Sequence, residues 1–248
     1  MLLEGKTALI TGASSGIGET TAKRIATEGA SVLVADVNEE GGRRVVDEIT
    51  AAGGVATFLR VDVTDADQVD AMVAEVVAKW GRLDLAVNNA GLAEQPGAMH
   101  ELALDAWNKT IGIDLTGTFL CMRAELRQFV SQGGGVIVNT ASGAGLKATP
   151  NLTAYSAAKH GVVGLTRTAA IEYITQNIRV NAVAPGTILT PAMQNFGDEQ
   201  LKEWSALMPT GRLGTTDEVA AGIVWLLSDQ ASYTTGTVLE IDGGYMQV

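Results

Sequence analysis

Short runs of β-branched and other apolar residues alternate along most of the chain with longer segments whose apolar positions recur at helical spacing. Most of the short runs are apolar almost throughout, which is typical of parallel strands that are covered on both faces. They predict seven strands, at residues 7–11, 31–36, 55–61, 83–88, 136–140, 178–184 and 238–241.

The segments between the strands predict helices near residues 17–29, 39–52, 66–80, 101–131, 152–176 and 216–228. Thr64 or Asp65, and Thr215 or Thr216, are candidate N-caps because acidic residues follow them in the first turn. Strands that alternate with helices indicate right-handed crossovers. We therefore predict an α/β fold, a doubly wound parallel sheet of about seven strands with helices on both faces. Residues 190–214 interrupt the alternation and are predicted to form a substrate flap over the strand ends.

The composition narrows the class of protein. With 248 residues and no linker rich in Pro, Gly or Ser, residues 1–248 are expected to form one domain. The formal net charge of −11, from 17 basic and 28 acidic residues, argues against a nucleic-acid partner. The N-terminus does not resemble a signal peptide, and no apolar run reaches the ~20 residues of a membrane helix. A single cysteine, Cys121, does not suggest an oxidising compartment. We expect a soluble cytoplasmic protein and predict no metal site.

A glycine-rich turn follows the first predicted strand. Residues 11–18 read Thr-Gly-Ala-Ser-Ser-Gly-Ile-Gly, and a helix is predicted to follow. Glycines in such a turn let the backbone approach a pyrophosphate, which lies at the helix N-terminus where free N–H groups and the dipole favour an anion. This arrangement is typical of a dinucleotide-binding (Rossmann) fold, although the glycine spacing differs from the commonest fingerprint. The predicted cofactor contacts in the turn are Gly12, Ser14, Ser15, Gly16, Ile17 and Gly18.

The same turn matches the G-x-S-x-G pattern of the α/β-hydrolase nucleophile elbow, with Ser14 as the nucleophile. A hydrolase would need an acid and then a histidine later in the chain. The two histidines, His100 and His160, do not lie near the C-terminus, where that order would place the catalytic one. The turn therefore favours cofactor binding over hydrolysis.

Asp36 ends the second predicted strand. A carboxylate at this position can accept hydrogen bonds from the ribose hydroxyls of NAD, and it would repel the 2′-phosphate of NADP. No Arg or Lys follows Asp36 before Arg43, and none lies within the glycine turn. We therefore predict NAD as the cofactor.

Tyr155 and Lys159 are four residues apart in a predicted helix, so their side chains project from the same face. An ammonium group that close favours the ionised phenol, which suits Tyr155 to act as general acid and base. Ser142 follows the strand predicted at residues 136–140, at the sheet edge where α/β folds place their ligands. We expect its hydroxyl to hold a substrate oxygen beside the phenol.

With these motifs in order, the chain resembles a short-chain dehydrogenase/reductase of the roughly 250-residue type, and the resemblance covers its whole length. The matching motifs are residues 11–18, Asp62-Val63, Asn88-Asn89-Ala90-Gly91, Ser142, Tyr155-x-x-x-Lys159, Pro185-Gly186-Thr187 with Thr190, and Asp242-Gly243-Gly244.

The resemblance implies that Tyr155 exchanges the proton of the substrate hydroxyl, that Ser142 orients the substrate, and that Lys159 holds the nicotinamide ribose. It also implies a homotetramer built on the helices at 101–131 and 152–176, although apolar residues there could equally belong to the internal core. Further cofactor contacts are implied for Asp62 and Val63 at the adenine, Asn89, Ala90 and Gly91 along the cofactor, Ile188 and Thr190 at the carboxamide end, and Pro185, Gly186, Tyr155 and Lys159.

One position departs from the family pattern. The family usually has Asn in the long helix before Gly-x-Phe, and this chain has Asp114 in that place. We include Asp114 among the catalytic residues, with two states open. An ionised carboxylate would stabilise the ammonium of Lys159, whereas a protonated acid would donate a hydrogen bond as the amide does.

The sequence thus predicts an NAD-dependent oxidoreductase that interconverts a secondary alcohol and a ketone by hydride transfer. One alternative is a 3-oxoacyl-thioester reductase of the same family, but such reductases mostly use NADPH, which Asp36 disfavours. Another is an NAD-sensing protein without catalysis, which would have no reason to keep Ser142, Tyr155 and Lys159 together. The identity of the small-molecule alcohol or ketone stays open.

Overall fold

A seven-stranded parallel sheet forms the centre of the computed structural model, which describes residues 1–92 and 96–247. Two further short strands pair with each other outside this sheet. Among the described residues the strands are β1 (Thr7–Thr11), β2 (Ser31–Asp36), β3 (Val55–Arg60), β4 (Leu85–Asn88), β5 (Gly135–Thr140), β6 (Ile178–Pro185), β7 (Ile188–Leu189), β8 (Gly214–Thr215) and β9 (Val238–Ile241).

The order of the strands places the ligand-binding edge. It runs β3-β2-β1-β4-β5-β6-β9, with every neighbouring pair parallel. The chain proceeds outward in opposite directions from β1 and β4, so a crevice lies beyond their carboxyl ends, where doubly wound sheets bind ligands. The predicted fold class is confirmed, and the seven predicted strands match the central sheet to within about two residues at each end.

The α-helices are α1 (Gly16–Thr27), α2 (Glu39–Ala51), α3 (Ala66–Trp80), α4 (Leu104–Thr110), α5 (Thr118–Gln132), α6 (Thr153–Tyr173), α7 (Pro191–Gln194), α8 (Asp198–Leu207) and α9 (Thr216–Leu227). Of the candidate N-caps, Asp65 begins α3 and accepts hydrogen bonds from the N–H groups of Asp67 and Gln68. Thr215 begins α9 in a reciprocal capping box with Glu218.

The prediction of a single helix over residues 101–131 is wrong in detail. A 3₁₀ turn (Met99–Glu101) and an extended link precede α4, and a π-helix (Ile111–Gly117) separates α4 from α5. Apolar spacing does not distinguish these forms, because a π-helical turn differs from an α-helical one by a single hydrogen-bond shift. The π-helix approaches a strand end closely, since a Cβ atom on Gly117 would lie 2.7 Å from Val63 Cγ2. Such segments are frequent at functional sites, and this one carries Asp114.

Side chains at alternate positions of the strands belong to two apolar clusters, one on each face of the sheet. Ala8 and Ile10 of β1 pack with residues of α1, α2 and α9, whereas Leu9 packs with residues of α3, α5 and α6. Fully burying one such Leu or Ile contributes about 1.5–3 kcal/mol, so these clusters fix the strands that carry the site. Cys121 is buried in the second cluster. Within residues 1–92 and 96–247, no helix has the length and hydropathy needed to cross a bilayer.

Residues 190–214, which the sequence separates from the strand–helix alternation, contain α7 and α8. The parallel pair β7–β8 closes the segment at its base. Thr190 caps α7 by accepting a hydrogen bond from the N–H of Met193. The interruption was predicted, but its two helices were not.

Candidate active site

Two adjoining cavities lie at the carboxyl ends of the central strands, with volumes of about 550 and 420 Å³. Every predicted site residue lines one or both of them except Gly18. Ile17, Asn89, Gly91 and Thr190 line both; Gly12, Ser14, Ser15, Gly16, Asp36, Asp62, Val63 and Ala90 line the larger, which we call the adenosine cavity; Asp114, Ser142, Tyr155, Lys159, Pro185, Gly186 and Ile188 line the smaller, which we call the reaction cavity.

The lining also includes residues that the sequence did not single out. Val37, Val61 and Ala141 follow directly after a strand, so the rule that ligands bind beyond the carboxyl ends of parallel strands would have found these three. In the adenosine cavity the residues not singled out are Val37, Val61, Leu92, Ile113, Pro191 and Ala192, and in the reaction cavity they are Leu92, Thr140, Ala141, Leu152 and Met193. Thr187, which belongs to the Pro185-Gly186-Thr187 motif, also lines the reaction cavity.

The glycine turn requires glycine for two different reasons. Gly12 and Gly16 have φ angles of +63° and +59°, in the left-handed region that other residues rarely adopt. Gly18 instead allows close packing within the turn, because a Cβ atom there would lie 2.1 Å from the carbonyl oxygen of Gly12. The side chain of Ser15, at the N-cap of α1, makes no capping hydrogen bond. Gly16 and Ile17, the first residues of α1, line the adenosine cavity, so the uncapped N–H groups at this helix end are potential anion donors.

Asn89 fastens this turn to the end of β4. Its Nδ2 donates to the carbonyl oxygens of Thr11 and Gly12, at 3.2 and 3.0 Å. In the other direction, Thr11 Oγ1 accepts hydrogen bonds from the backbone N–H groups of Asn89 and Ala90, both at 3.1 Å. The motifs around residues 12 and 89 therefore form one rigid wall shared by the two cavities.

Asp36 lies at the end of β2 with its carboxylate on the rim of the adenosine cavity. One oxygen accepts the N–H of Ser14 and the other the N–H of Asn38, each at 2.9 Å. Each carboxylate oxygen keeps a further lone pair for a ribose hydroxyl. The expectation that no basic group lies near this site is wrong, because Arg44 of α2 reaches back and donates to the carbonyl oxygen of Ser14 at 3.1 Å. Sequence spacing did not reveal this contact.

The predicted catalytic groups meet in the reaction cavity. Lys159 is 4% exposed, and its Nζ donates to the carbonyl oxygen of Thr140 at 3.0 Å and lies 5.4 Å from the centre of the Tyr155 ring. Ser142 begins a short 3₁₀ turn, where its Oγ accepts the N–H of Ala144 at 3.1 Å. The hydroxyl proton of Ser142 can therefore be donated to a ligand.

Asp114 contacts Lys159 through its side chain. The residue is fully buried, its Oδ1 lies 3.0 Å from Lys159 Nζ, and its Oδ2 accepts the N–H of Leu92 at 3.0 Å. Its backbone carbonyl accepts the hydroxyl of Thr118 at 2.8 Å. Gly91 is needed beside this pair, since a Cβ atom there would lie 2.8 Å from Asp114 Oδ1. One carboxylate oxygen thus faces an N–H donor and the other an ammonium, which is the arrangement of a buried ion pair.

A buried polar network lies beneath these groups, and the sequence analysis did not identify it. Asn88 Nδ2 donates to Glu125 Oε2 and to Asn139 Oδ1, each at 3.0 Å. Asn139 Nδ2 in turn donates to Thr166 Oγ1 at 2.9 Å, which joins β4 and β5 to α5 and α6. Burial raises the pKa of Glu125 to about 8, and the hydrogen bond from Asn88 lowers it only in part. The network supports the strands that end in the site.

Known proteins resemble this chain over nearly its full length. A family model described as "Enoyl-(Acyl carrier protein) reductase" matches residues 12–246. Cyclohexanol dehydrogenase from Acinetobacter sp. (strain SE19) is 44% identical over 240 residues, covering 97% of this chain and 94% of that protein. Cis-4-hydroxycyclohexanecarboxylate dehydrogenase from Sinomonas cyclohexanicum is 44% identical over 243 residues, covering 98% of this chain and 97% of that protein.

Solved structures agree with this result. Levodione reductase superposes with a TM-score of 0.94 at 38% identity, covering 99% of both chains. A short-chain type dehydrogenase/reductase from Mycobacterium marinum superposes with a TM-score of 0.93 at 39% identity, covering 98% of this chain and 96% of that one.

Proposed function

Because this chain belongs to the short-chain dehydrogenase/reductase family and is an alcohol–ketone oxidoreductase, we propose that it uses NAD, with Tyr155 as the general acid and base. The single observation that supports the proposal is that the two cavities adjoin and share lining residues, with Asp36 in one cavity and Tyr155 and Lys159 in the other. The relatives are enzymes, which argues against the alternative of an NAD sensor without catalysis.

The adenosine cavity fits NAD. Gly12 and Gly18 keep the turn free of side chains that would clash with their neighbours, and the N-terminus of α1 offers N–H groups to a pyrophosphate. Asp36 would accept the ribose hydroxyls and repel a 2′-phosphate. Asp62 and Val63 would lie against the adenine, and Ile188 and Thr190, which line the reaction cavity, would meet the nicotinamide end.

The chemistry follows from three side chains in the reaction cavity. The bound nicotinamide supplies the hydride acceptor for oxidation and the donor for reduction. Tyr155 takes the hydroxyl proton of the alcohol or returns it to the ketone oxygen, and Ser142 holds that oxygen by donating a hydrogen bond. Lys159 stabilises negative charge on the phenol oxygen and would also hold the nicotinamide ribose.

We assign Asp114 a positioning role through its ion pair with Lys159. The carboxylate fixes the ammonium beneath the phenol, and its negative charge offsets part of the positive potential there. The enzyme should consequently need a higher pH to oxidise alcohols than a variant with Asn at this position. This follows the first of the two states that the sequence left open.

The walls of the reaction cavity favour a neutral, compact substrate. Leu152, Ile188 and Met193 supply apolar surface. Among the described lining residues, the charged groups are Lys159 and Asp114, which are paired with each other. A substrate carboxylate would find no free cation among them, so a cyclohexanol-like ring fits better than a hydroxycyclohexanecarboxylate.

A matched pair of substrates tests this assignment. Purified enzyme with NAD should oxidise cyclohexanol with a kcat/KM at least about tenfold above that for cis-4-hydroxycyclohexanecarboxylate, because burying an unpaired carboxylate is costly. Equal efficiencies, or a preference for the acid, would mean that the cavity supplies a cation to the bound substrate. Activity on a 3-oxoacyl thioester above that on cyclohexanone would favour the alternative reductase.

We further propose that the chain forms one domain, works as a cytoplasmic homotetramer, and uses residues 190–214 as the flap over the reaction cavity. Thr190 and Met193 of that segment line the cavity. For the tetramer, the support is the exposed apolar surface of α5 and α6, where Phe119 is 47%, Val130 45% and Ile171 77% exposed. Apolar surface gathered on adjacent helices is typical of an interface between copies.

A further inference from the structure

Four charged side chains lie between α1 and α2, next to the glycine turn. Arg44 Nη2 lies 2.6 Å from Glu19 Oε2, and Arg44 Nη1 lies 2.7 Å from Glu48 Oε1. Lys23 contacts the same two carboxylates. The donors of the Arg44 guanidinium are therefore directed at two acids, in the planar, two-pronged geometry that arginine uses for carboxylates and phosphates alike.

This arginine stands at the edge of the adenosine cavity. Arg44 Nη2 donates to the carbonyl oxygen of Ser14, and the N–H of Ser14 donates to the carboxylate of Asp36. One backbone residue thus separates the guanidinium from the carboxylate that faces the ribose. The close approach of α2 depends on Gly41, where a Cβ atom would lie 3.0 Å from Ser14 Cβ.

We propose that Arg44 is a latent binding site for the 2′-phosphate of NADP, and that Glu19 and Glu48 block this site by pairing with the guanidinium. These two acids would then act together with Asp36 to set the cofactor preference. The inference rests on the proposed use of NAD and deepens it. Asp36 repels the phosphate, while the two acids withhold the cation that would bind it. Neither effect requires the other.

The measurement is the ratio of kcat/KM with NADP to kcat/KM with NAD, using one alcohol. A ratio is needed because Glu19 lies in the first turn of α1, where its charge acts on the pyrophosphate of either cofactor. The variants are Glu19→Gln and Glu19→Gln/Glu48→Gln, each made in the native chain and in an Asp36→Ser background. The double variant releases Arg44 and also Lys23, and it should raise the ratio about threefold to tenfold in the Asp36→Ser background, as expected for partly exposed cations.

Glu39→Gln is the matched control. It releases Arg43, which lies on the same helix, pairs with Glu39 at 2.7 Å and is itself exposed, but has no contact with Ser14 among its hydrogen bonds. Its change in net charge equals that of Glu19→Gln, so a general electrostatic effect would raise the ratio equally in these two single variants. Adding Arg44→Leu to the double variant should return the ratio to that of its parent.

A binding readout separates the cofactor from turnover. Inhibition by adenosine 2′,5′-bisphosphate relative to 5′-AMP, which lacks only the 2′-phosphate, should strengthen in the double variant and return to the parental value on Arg44→Leu. A ratio within about twofold of the parent in both backgrounds, or a gain that survives Arg44→Leu, would overturn the inference. A native enzyme that prefers NADP would instead overturn the proposed use of NAD.

Discussion

Replacing Asp114 with Asn removes the negative charge beside Lys159 while keeping the size of the side chain. The amide oxygen can replace one carboxylate oxygen and accept from either the ammonium or the backbone N–H of Leu92, while the amide NH2 group then faces the other donor. What changes is the potential at the phenol. With the offsetting carboxylate gone, the ammonium acts alone on Tyr155, and ionised phenol becomes easier to form.

The magnitude follows from two distances. Lys159 Nζ lies 3.0 Å from Asp114 Oδ1 and 5.4 Å from the centre of the Tyr155 ring, which places the carboxylate within about 8 Å of the phenol ring. At an effective dielectric constant of about 20, a unit charge at about 8 Å contributes about 2 kcal/mol. One pH unit corresponds to about 1.4 kcal/mol, so the alkaline limb should move to lower pH by about 1 to 1.5 units.

The assay is kcat/KM for cyclohexanol oxidation at saturating NAD, measured across the neutral and alkaline range for the native enzyme and Asp114→Asn. Asp105→Asn is the charge-matched control, because Asp105 is exposed in the first turn of α4, and its profile should match the native one. An unchanged Asp114→Asn profile would mean that Asp114 carries no charge in the working enzyme. A shift to higher pH would reverse the sign of the argument. An inactive variant would mean that the carboxylate takes part in the chemistry.

Three further predictions test other parts of the account. Tyr155→Phe should lower kcat by ~10²–10⁴-fold while NADH binding, followed by fluorescence titration, stays within about threefold of native; more than about a tenth of native activity would contradict its role. Burial raises the pKa of Glu125 from 4.5 to about 8, so the folded protein keeps a proton that the unfolded chain releases. The stabilising contribution of the protonated Glu125 should therefore be present below pH 4.5 and be lost as pH rises through about 8. Urea unfolding at several pH values should show that the free energy of unfolding falls less over this pH range in Glu125→Gln than in the native protein. An equal fall in the two proteins would refute the assignment. Ile171→Glu should dissociate the proposed tetramer in light scattering, and an unchanged mass would place the interface elsewhere.

The sequence predicted the fold well because the inner strands of the sheet are buried on both faces. β1 and β2 match their predicted ends, since nearly continuous apolar runs bounded by glycine and polar residues leave little room for another register. The positions of Ser142, Tyr155 and Lys159 were also predictable. A four-residue spacing fixes two side chains on one helix face, and the ends of parallel strands meet at one edge.

Contacts between distant segments could not be predicted in the same way. The π-helix at Ile111–Gly117 turns Asp114 towards Lys159, yet it has the same apolar spacing as a continuous α-helix. Arg44 reaches Ser14 across 30 residues of sequence, and Asn88 reaches Glu125 across 37. Such pairings depend on how helices pack on the sheet, and side-chain type alone does not specify them.

The central claim is that this enzyme oxidises a secondary alcohol with NAD. The most direct measurement is steady-state oxidation of cyclohexanol by the purified native protein at alkaline pH, with NAD and NADP compared in parallel by the absorbance of the reduced nicotinamide. We predict turnover with both cofactors and a kcat/KM at least about tenfold higher with NAD, which corresponds to ~1.4 kcal/mol of repulsion at the 2′-phosphate. Equal or greater efficiency with NADP, or no turnover of secondary alcohols with NAD, would contradict the account.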